Sequence, residues 1–202
     1  MSLESVARKP IIAVVGTKDF KAHLRPPLPP DLKSIAETVG KEVATNKCWL
    51  LCGGLTGVME AAACGAKNIG GFTIGIIPKA VRELEDNHKD EWPNRFIDVA
   101  IFTGLGGGVN GGRNEVIVNS CDAMIALPGS NRPDPDRGTR SEINFAIEKG
   151  VPVVLYKYWR DVKDPIAEST PTVQYFTADA EEAVSKALAA ISDGRHKTTS
   201  RR

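Results

Sequence analysis

The sequence carries almost no net charge: 26 Lys and Arg against 25 Asp and Glu leave +1 over 202 residues. So balanced a chain lacks the broad positive field that grips nucleic acid or an anionic membrane. It has no apolar run approaching the ~20 residues of a membrane span. Met1 to Pro10 lacks the apolar stretch of a signal peptide. Histidine is scarce: His23, His88 and His196 stand apart in polar segments, which speaks against a zinc site. The four cysteines, Cys48, Cys52, Cys64 and Cys121, include no CxxC pair. Cys48 and Cys52 share parity on a predicted strand, as reduced core residues of a cytoplasmic protein do. Nucleic acid and membrane are therefore not expected partners, no metal site is expected, and the sequence itself requires no cofactor.

What remains is a chain of one-domain size with a regular alternation of apolar runs and amphipathic stretches. Pro10-Ile-Ile-Ala-Val-Val15 reads as a buried parallel strand closed by Gly16-Thr17, followed by a polar, proline-rich loop from Lys18 to Pro30. Asp31 is the expected N-cap of a helix to about Asn46, with Leu32, Ile35, Ala36, Val39 and Val43 as its buried stripe. Cys48 to Cys52 is a second strand, and Val58 to Cys64 a short small-residue helix. Thr73 to Ile77 and Phe96 to Phe102 are the third and fourth strands, joined through an exposed connection over Arg82–Arg95. Arg113 to Ser120 is a helix, Val151 to Tyr156 a strand, and Tyr158 to Phe176 a mixed loop. Asp179 caps a last helix carrying Ala183, Val184, Ala187, Leu188 and Ile191. The pattern predicts a doubly wound parallel α/β sheet, Rossmann-like, in one domain over 10–192. Residues 1–9 form an N-terminal extension, and 193–202 a basic tail expected to be disordered.

The centre of the chain is Ala123-Met-Ile-Ala-Leu-Pro-Gly-Ser130 with the Gly138-Thr-Arg-Ser-Glu142 that follows. The first piece is a buried strand ending in a tight loop; the second opens a helix marked by Ile143, Ala146 and Ile147. Backbone N–H groups at such a junction face outward with the positive helix end, which suits a phosphate. Gly53, Gly54 and Gly57 make a second strand–glycine–helix junction, neither a P-loop nor a full GxGxxG. Gly104 to Gly108 with Gly111-Gly112 is a third glycine-rich strand end, and Arg113 starts the next helix. A cation there is unfavourable unless it faces an anion. Glu142 in a first turn either caps the helix or serves chemistry, and Thr139 could be an N-cap.

Taken together, these residues resemble the Rossmann-like family that holds the LOG-type cytokinin-activating phosphoribohydrolases and the molybdenum cofactor carrier proteins. Its hallmark is PGGxGTxxE after a strand, with an arginine upstream. Pro128-Gly129-Ser130 and Gly138-Thr139-Arg140-Ser141-Glu142 match it in two pieces; Arg113 stands fifteen residues before Pro128, and Asp122 matches the aspartate opening the strand. Arg8 to Ile12, Gly53-Gly54 with Gly57-Val-Met59, Gly65 to Lys67, Thr73 to Gly75, Thr103 to Gly106 and Gly111 to Asn114 lean toward the carrier branch. One departure stands out. Seven residues, Asn131 to Arg137, separate Ser130 from Gly138 where the family has one, and Ser130 replaces the second glycine. Arg132 and Arg137 in that insertion could reach a phosphate; the alternative is a loop that bulges away from it.

The resemblance implies a ligand site built from Gly16, Thr17, Gly53, Gly54, Gly57, Val58, Met59, Gly104, Arg113, Asn114, Pro128, Gly129, Ser130, Gly138, Thr139 and Glu142. One reading is a carrier or sensor of a phosphorylated small molecule, a nucleotide or the molybdenum cofactor, with the metal held by the cofactor itself. The other is hydrolysis of a nucleoside 5′-monophosphate to free base and ribose 5-phosphate, with Glu142 and Arg113 as the catalytic residues. Glycoside chemistry commonly uses two carboxylates, and Glu60 and Glu115 are the candidates for a second, each otherwise helix surface. A third reading is a structural subunit whose site has decayed. Nothing resembles a pyridoxal phosphate site, so the lysine decarboxylase label often given to this family does not apply. The resemblance also implies a homodimer or higher oligomer.

Overall fold

A computed structural model describes residues 8–78, 92–106, 108, 110–131, 138–166, 172–176 and 179–199. Seven strands form one sheet: β1 (Ile11–Val15), β2 (Trp49–Cys52), β3 (Thr73–Ile77), β4 (Val99–Phe102), β5 (Ala123–Ala126), β6 (Val153–Tyr156) and β7 (Val173–Phe176). Five α-helices connect them: α1 (Leu32–Thr45), α2 (Val58–Lys67), α3 (Arg113–Asn119), α4 (Thr139–Glu148) and α5 (Ala180–Thr199). The strand order is β4-β3-β2-β1-β5-β6-β7, and every pairing is parallel. The Rossmann-like doubly wound sheet expected from the sequence is therefore the observed fold.

The topology fixes where a ligand can go. The chain builds outward from β1 to β4, then returns to lay β5 on the other side of β1. Helices α1, α2 and α5 pack together, and α3 packs on α4. Right-handed crossovers put these two groups on opposite faces of the sheet. The crevice at such a reversal lies beyond the carboxyl ends of the two central strands. Those strands are apolar throughout because both faces are covered: Ile12, Ala13, Val14, Met124 and Ile125 have no exposed surface. Each large aliphatic side chain buried this way contributes about 1.5–3 kcal/mol.

The amphipathic stripe of α1 is buried as its spacing predicts, at Leu32, Ile35, Ala36, Val39 and Val43. Close packing with α2 explains two of the glycines. A Cβ on Gly40 would collide with the Ala62 carbonyl of α2, and one on Gly65 with the Glu37 carbonyl of α1. The two helices thus meet backbone to backbone.

Several expectations are corrected. Asp31 holds the N-cap position of α1 but makes no side-chain cap bond. The N-cap of α4 is Gly138, not Thr139, which is the first helical residue. Residues 96–98 are not strand: β4 begins at Val99, after a turn in which the Asp98 carboxylate accepts from the Thr73 N–H, the Thr73 hydroxyl and Lys67. The segment read as mixed loop contains a 3₁₀ turn at Lys157–Arg160, with Trp159 fully buried, and the edge strand β7. Helix α5 continues to Thr199, so residues 193–199, expected to be a disordered tail, are helical. A helix nucleated on buried Ala183, Val184, Ala187 and Ile191 extends at little further cost. Residues 82–91 of the exposed connection, and Arg132 and Arg137, lie outside the described residues.

Candidate functional site

The crevice is framed by backbone bonds that tie its three walls together. Leu127 N–H donates to the Val15 carbonyl and Thr17 N–H to the Pro128 carbonyl, each at 2.9 Å, so β1 and β5 stay joined past their ends. Val58 N–H donates to the Thr17 carbonyl at 2.9 Å, which seats the start of α2 on the same knot. The Thr17 hydroxyl exchanges bonds with the Asp19 backbone, at 2.9 and 3.1 Å. Thr17 is therefore part of the frame, its polar groups spent within the chain. Gly16 faces the Val58 side chain, and Pro128 is buried.

Into this frame project two buried charges. Arg113, first residue of α3, and Glu142, in the first turn of α4, are each only 7% exposed. The packing of α3 on α4 brings them within electrostatic reach. No described carboxylate lies within 4.0 Å of the guanidinium, so the two interact without forming an ion pair. Burial pushes the Glu142 carboxyl up to about 7, against the pull of Arg113. Burial likewise lowers the Arg113 guanidinium, against the pull of Glu142. The Arg113 Nε has no hydrogen-bond partner, and neither has the Oδ1 of its buried neighbour Asn114. Buried polar atoms are nearly always satisfied, so two orphans on adjacent residues are unusual; the buried Tyr158 hydroxyl and Thr172 Oγ1 are likewise unpartnered.

The guanidinium packs against Gly53 in the glycine loop after β2. A Cβ on Gly53 would collide with Arg113 and come within 2.9 Å of the Met59 sulfur. Opposite, the Thr139 side chain rests on Gly129, where a Cβ would also collide. The N–H groups of Gly129, Gly138 and Thr139 donate to nothing among the described residues. By contrast, the start of α3 is saturated: Arg113 N–H donates to the Gly106 carbonyl at 2.7 Å and Asn114 N–H to Gly108 at 3.0 Å. Glu115 accepts the Gly111 N–H at 2.8 Å, so this candidate second carboxylate caps its own helix. Gly104 is exposed at the end of β4 and makes no described contact with the rest of the site. Cys52 lies beneath the glycine loop, its thiol pushed up to about 11 by burial and accepting the Gly54 N–H, which leaves it no nucleophile near neutral pH.

The insertion leaves the junction intact. Arg140 N–H donates to the Ser130 carbonyl at 3.1 Å, and Gly138 lies against the Ser130 side chain. The Arg140 side chain reaches Asn131 Oδ1 at 3.1 Å and the Asp164 carbonyl at 2.8 Å, while Asn131 donates to the Lys163 carbonyl at 3.0 Å. The two ends of the lengthened loop are thus held side by side. Sequence reading missed this staple, and it missed Asn94. That buried residue donates its own N–H to the Gly54 carbonyl and its side-chain amide to Leu55, both at 2.9 Å, clamping the glycine loop from the far side. The only signal was a turn residue after Trp92-Pro93. Among the described residues no three His, Cys, Asp or Glu side chains are grouped as a metal would need, and no helix is long and apolar enough to cross a membrane.

A model of the SLOG cluster4 family matches residues 9–187. The structure of the molybdenum cofactor binding protein from Rippkaea orientalis is 29% identical, with a TM-score of 0.66, covering 92% of this chain and 98% of that one. The molybdenum cofactor carrier protein from Chlamydomonas reinhardtii is 26% identical, with a TM-score of 0.67, covering 92% and 99%. The cytokinin riboside 5′-monophosphate phosphoribohydrolase of Mycobacterium tuberculosis is 34% identical over 103 residues, 49% of this chain and 48% of that enzyme.

Proposed function

The chain belongs to the SLOG cluster4 family, and we propose that it binds a phosphorylated small molecule, a nucleotide or molybdenum-cofactor-type pterin, as a carrier or sensor. One observation carries the reading: a buried arginine with an unsatisfied Nε stands at the strand-order reversal, not ion-paired with the buried Glu142. A phosphate between Arg113 and the start of α4 would take up that donor together with the free N–H groups of Gly129, Gly138 and Thr139. The ligand's remaining part would run past Gly53, Gly54 and Gly57, where backbone alone forms the wall. The carrier and binding proteins that share this fold over their whole length support cargo rather than turnover. Molybdenum, if carried, would be held by the pterin's own sulfur and oxygen groups, the protein supplying phosphate and backbone contacts.

The Glu142 carboxyl favours a second reading. Near pH 7 it populates both proton states beside a fixed cation, as an acid–base group must. In a nucleoside 5′-monophosphate hydrolase it would accept a proton from the water attacking C1′. The C1′–N bond then breaks, the base departs with the bonding electron pair, and the proton taken up by Glu142 passes to it through solvent.

The test is incubation of the full chain with AMP and other nucleoside monophosphates, following free base by chromatography, with Glu142→Gln alongside. Base release that the variant lacks establishes the hydrolase. No release, with the same nucleotides still raising the melting temperature, establishes the carrier or sensor. Arg113→Ala should weaken binding ten- to hundredfold, about 1.5–3 kcal/mol for a charged hydrogen-bonded contact; unchanged affinity for every phosphorylated ligand tried would remove the site from this place. The family resemblance also supports a homodimer or larger assembly, which sedimentation would read directly.

A further inference from the structure

Beside the glycine loop lies a cavity of about 440 Å³ whose described lining residues are Glu60, Pro93, Asn94 and Arg95. Asn94 is the shared wall. Its N–H and side-chain amide hold the Gly54 and Leu55 carbonyls, and its Oδ1 accepts the Phe96 N–H at 3.1 Å. The Asn94 side chain is thus occupied on both its donor and acceptor ends, and proline has no donor. Among the described lining residues, the charged groups left to face an occupant are the Glu60 carboxylate and the Arg95 guanidinium. Neither makes a hydrogen bond or ion pair among the described residues, with each other or with anything else. Arg95 is steadied over the Phe96 ring at 4.8 Å. Opposite charges that share a cavity without touching leave room for a group that bridges them.

Their chemistry specifies that group. A carboxylate only accepts and a guanidinium only donates, each over two parallel bonds. A ring that shows two adjacent N–H donors on one edge and two acceptors on the next meets both. A 2-amino-4-oxo pyrimidine fused to a second ring does so. In guanine the ring N–H and 2-amino group form the donor edge, and the carbonyl and neighbouring ring nitrogen form the acceptor edge. Pterins present the same two edges. Adenine does not, because its ring nitrogen would set a lone pair against the carboxylate.

We propose that this cavity is the heterocycle pocket of the site, in which Glu60 and Arg95 select a guanine or pterin ring over adenine. The inference rests on the phosphorylated-ligand reading, since one ligand would span from Arg113 across the glycine loop to Glu60. Glu60 thereby gains a role in recognition instead of the second catalytic carboxylate weighed from the sequence.

The experiment is calorimetric titration of the full chain with GMP, IMP, AMP and 6-hydroxymethylpterin phosphate, on wild type, Glu60→Gln and Arg95→Gln. GMP is expected to bind at least tenfold tighter than AMP, the discrimination that a bidentate pair gives between bases, with IMP between them because it lacks the 2-amino group. Glu60→Gln should abolish the preference by weakening GMP while leaving AMP unchanged, and Arg95→Gln should weaken GMP as well. The pterin phosphate separates the two sources of the ring: tighter binding than GMP identifies a pterin pocket, weaker binding a guanine pocket. Equal affinities for GMP, IMP and AMP overturn the proposal, as does a Glu60→Gln variant that loses GMP and AMP by the same factor. If no phosphate binds, guanosine and 6-hydroxymethylpterin are titrated instead. Their binding would keep the cavity and discard the phosphate reading, whereas their failure discards both. Arg95 is exposed and Glu60 partly buried, neither with an ion-pair partner among the described residues, and unchanged circular dichroism would confirm folded variants.

Discussion

At the scale of single residues, the site is defined by what two buried charges do to each other. Glu142 titrates at about 7 in the folded chain and near 4.5 when unfolded. The folded state therefore holds the proton more tightly, and the resulting stability is complete below about 4.5 and lost as pH rises through 7. Relative to Glu142→Gln, wild type should lose up to about 3 kcal/mol between pH 4.5 and 8, at ~1.4 kcal/mol for each pKa unit. Urea unfolding at the two pH values reads this, and a gap that does not change with pH would contradict the burial argument. Arg113→Ala should move that window upward, because the carboxyl loses the cation that holds it down. Arg113, Thr139 and Glu142 were legible in the sequence because their spacing is fixed by a local strand–loop–helix geometry. Asn94 was not, since an asparagine after a proline looks like any turn until a distant loop places carbonyls against it. Thr17, expected to contact a ligand, instead spends its hydroxyl on the Asp19 backbone, a local bond that a loop without periodicity does not announce.

At the scale of elements, α1 and α2 depend on two glycines that no pattern of hydrophobic residues announces. Gly40→Ala or Gly65→Ala must force a methyl into a backbone carbonyl, a clash that side-chain rotation cannot relieve. Each should cost about 1–3 kcal/mol or more, read as a lowered urea midpoint, while exposed Lys41→Ala beside them should stay within about 0.5 kcal/mol. Helix stripes and central strands could be read directly because burial on one or both faces imposes a period. The edge strand β7 could not: four residues behind Thr-Pro-Thr carry too short a pattern, and only pairing with β6 makes them a strand. The stapled insertion makes a separate claim. Because Asn131 and Arg140 hold its ends, removal of residues 132–137 should leave the melting temperature within a few degrees and spare ligand binding. Arg140→Ala, which frees those ends, should weaken binding several-fold in the intact chain. The reverse ranking, with the deletion worse than the point variant, would show that the insertion itself touches the ligand.

At the scale of the whole molecule, one sheet and one crevice make ligand binding and folding a single equilibrium. A ligand at a hundred times its Kd should add about 2.7 kcal/mol, raising Tm by roughly 5–10 °C at ~2–4 °C per kcal/mol for a chain of this size. Scanning fluorimetry should show that rise in wild type and its loss in Arg113→Ala at the same concentration. The pairing of β1 with β5 also has a consequence for synthesis. β1 is the first strand made, and its Ile12 to Val15 segment is apolar on every side. The neighbour on one flank, β2, follows within a few dozen residues, but the other flank belongs to a strand about a hundred residues later. At ~5–20 residues per second on the ribosome, that flank stays open for roughly 5–20 s. For that interval the nascent chain presents an unpaired, greasy edge at its centre, so the same reversal that creates the crevice makes early association with a chaperone the natural companion of its birth.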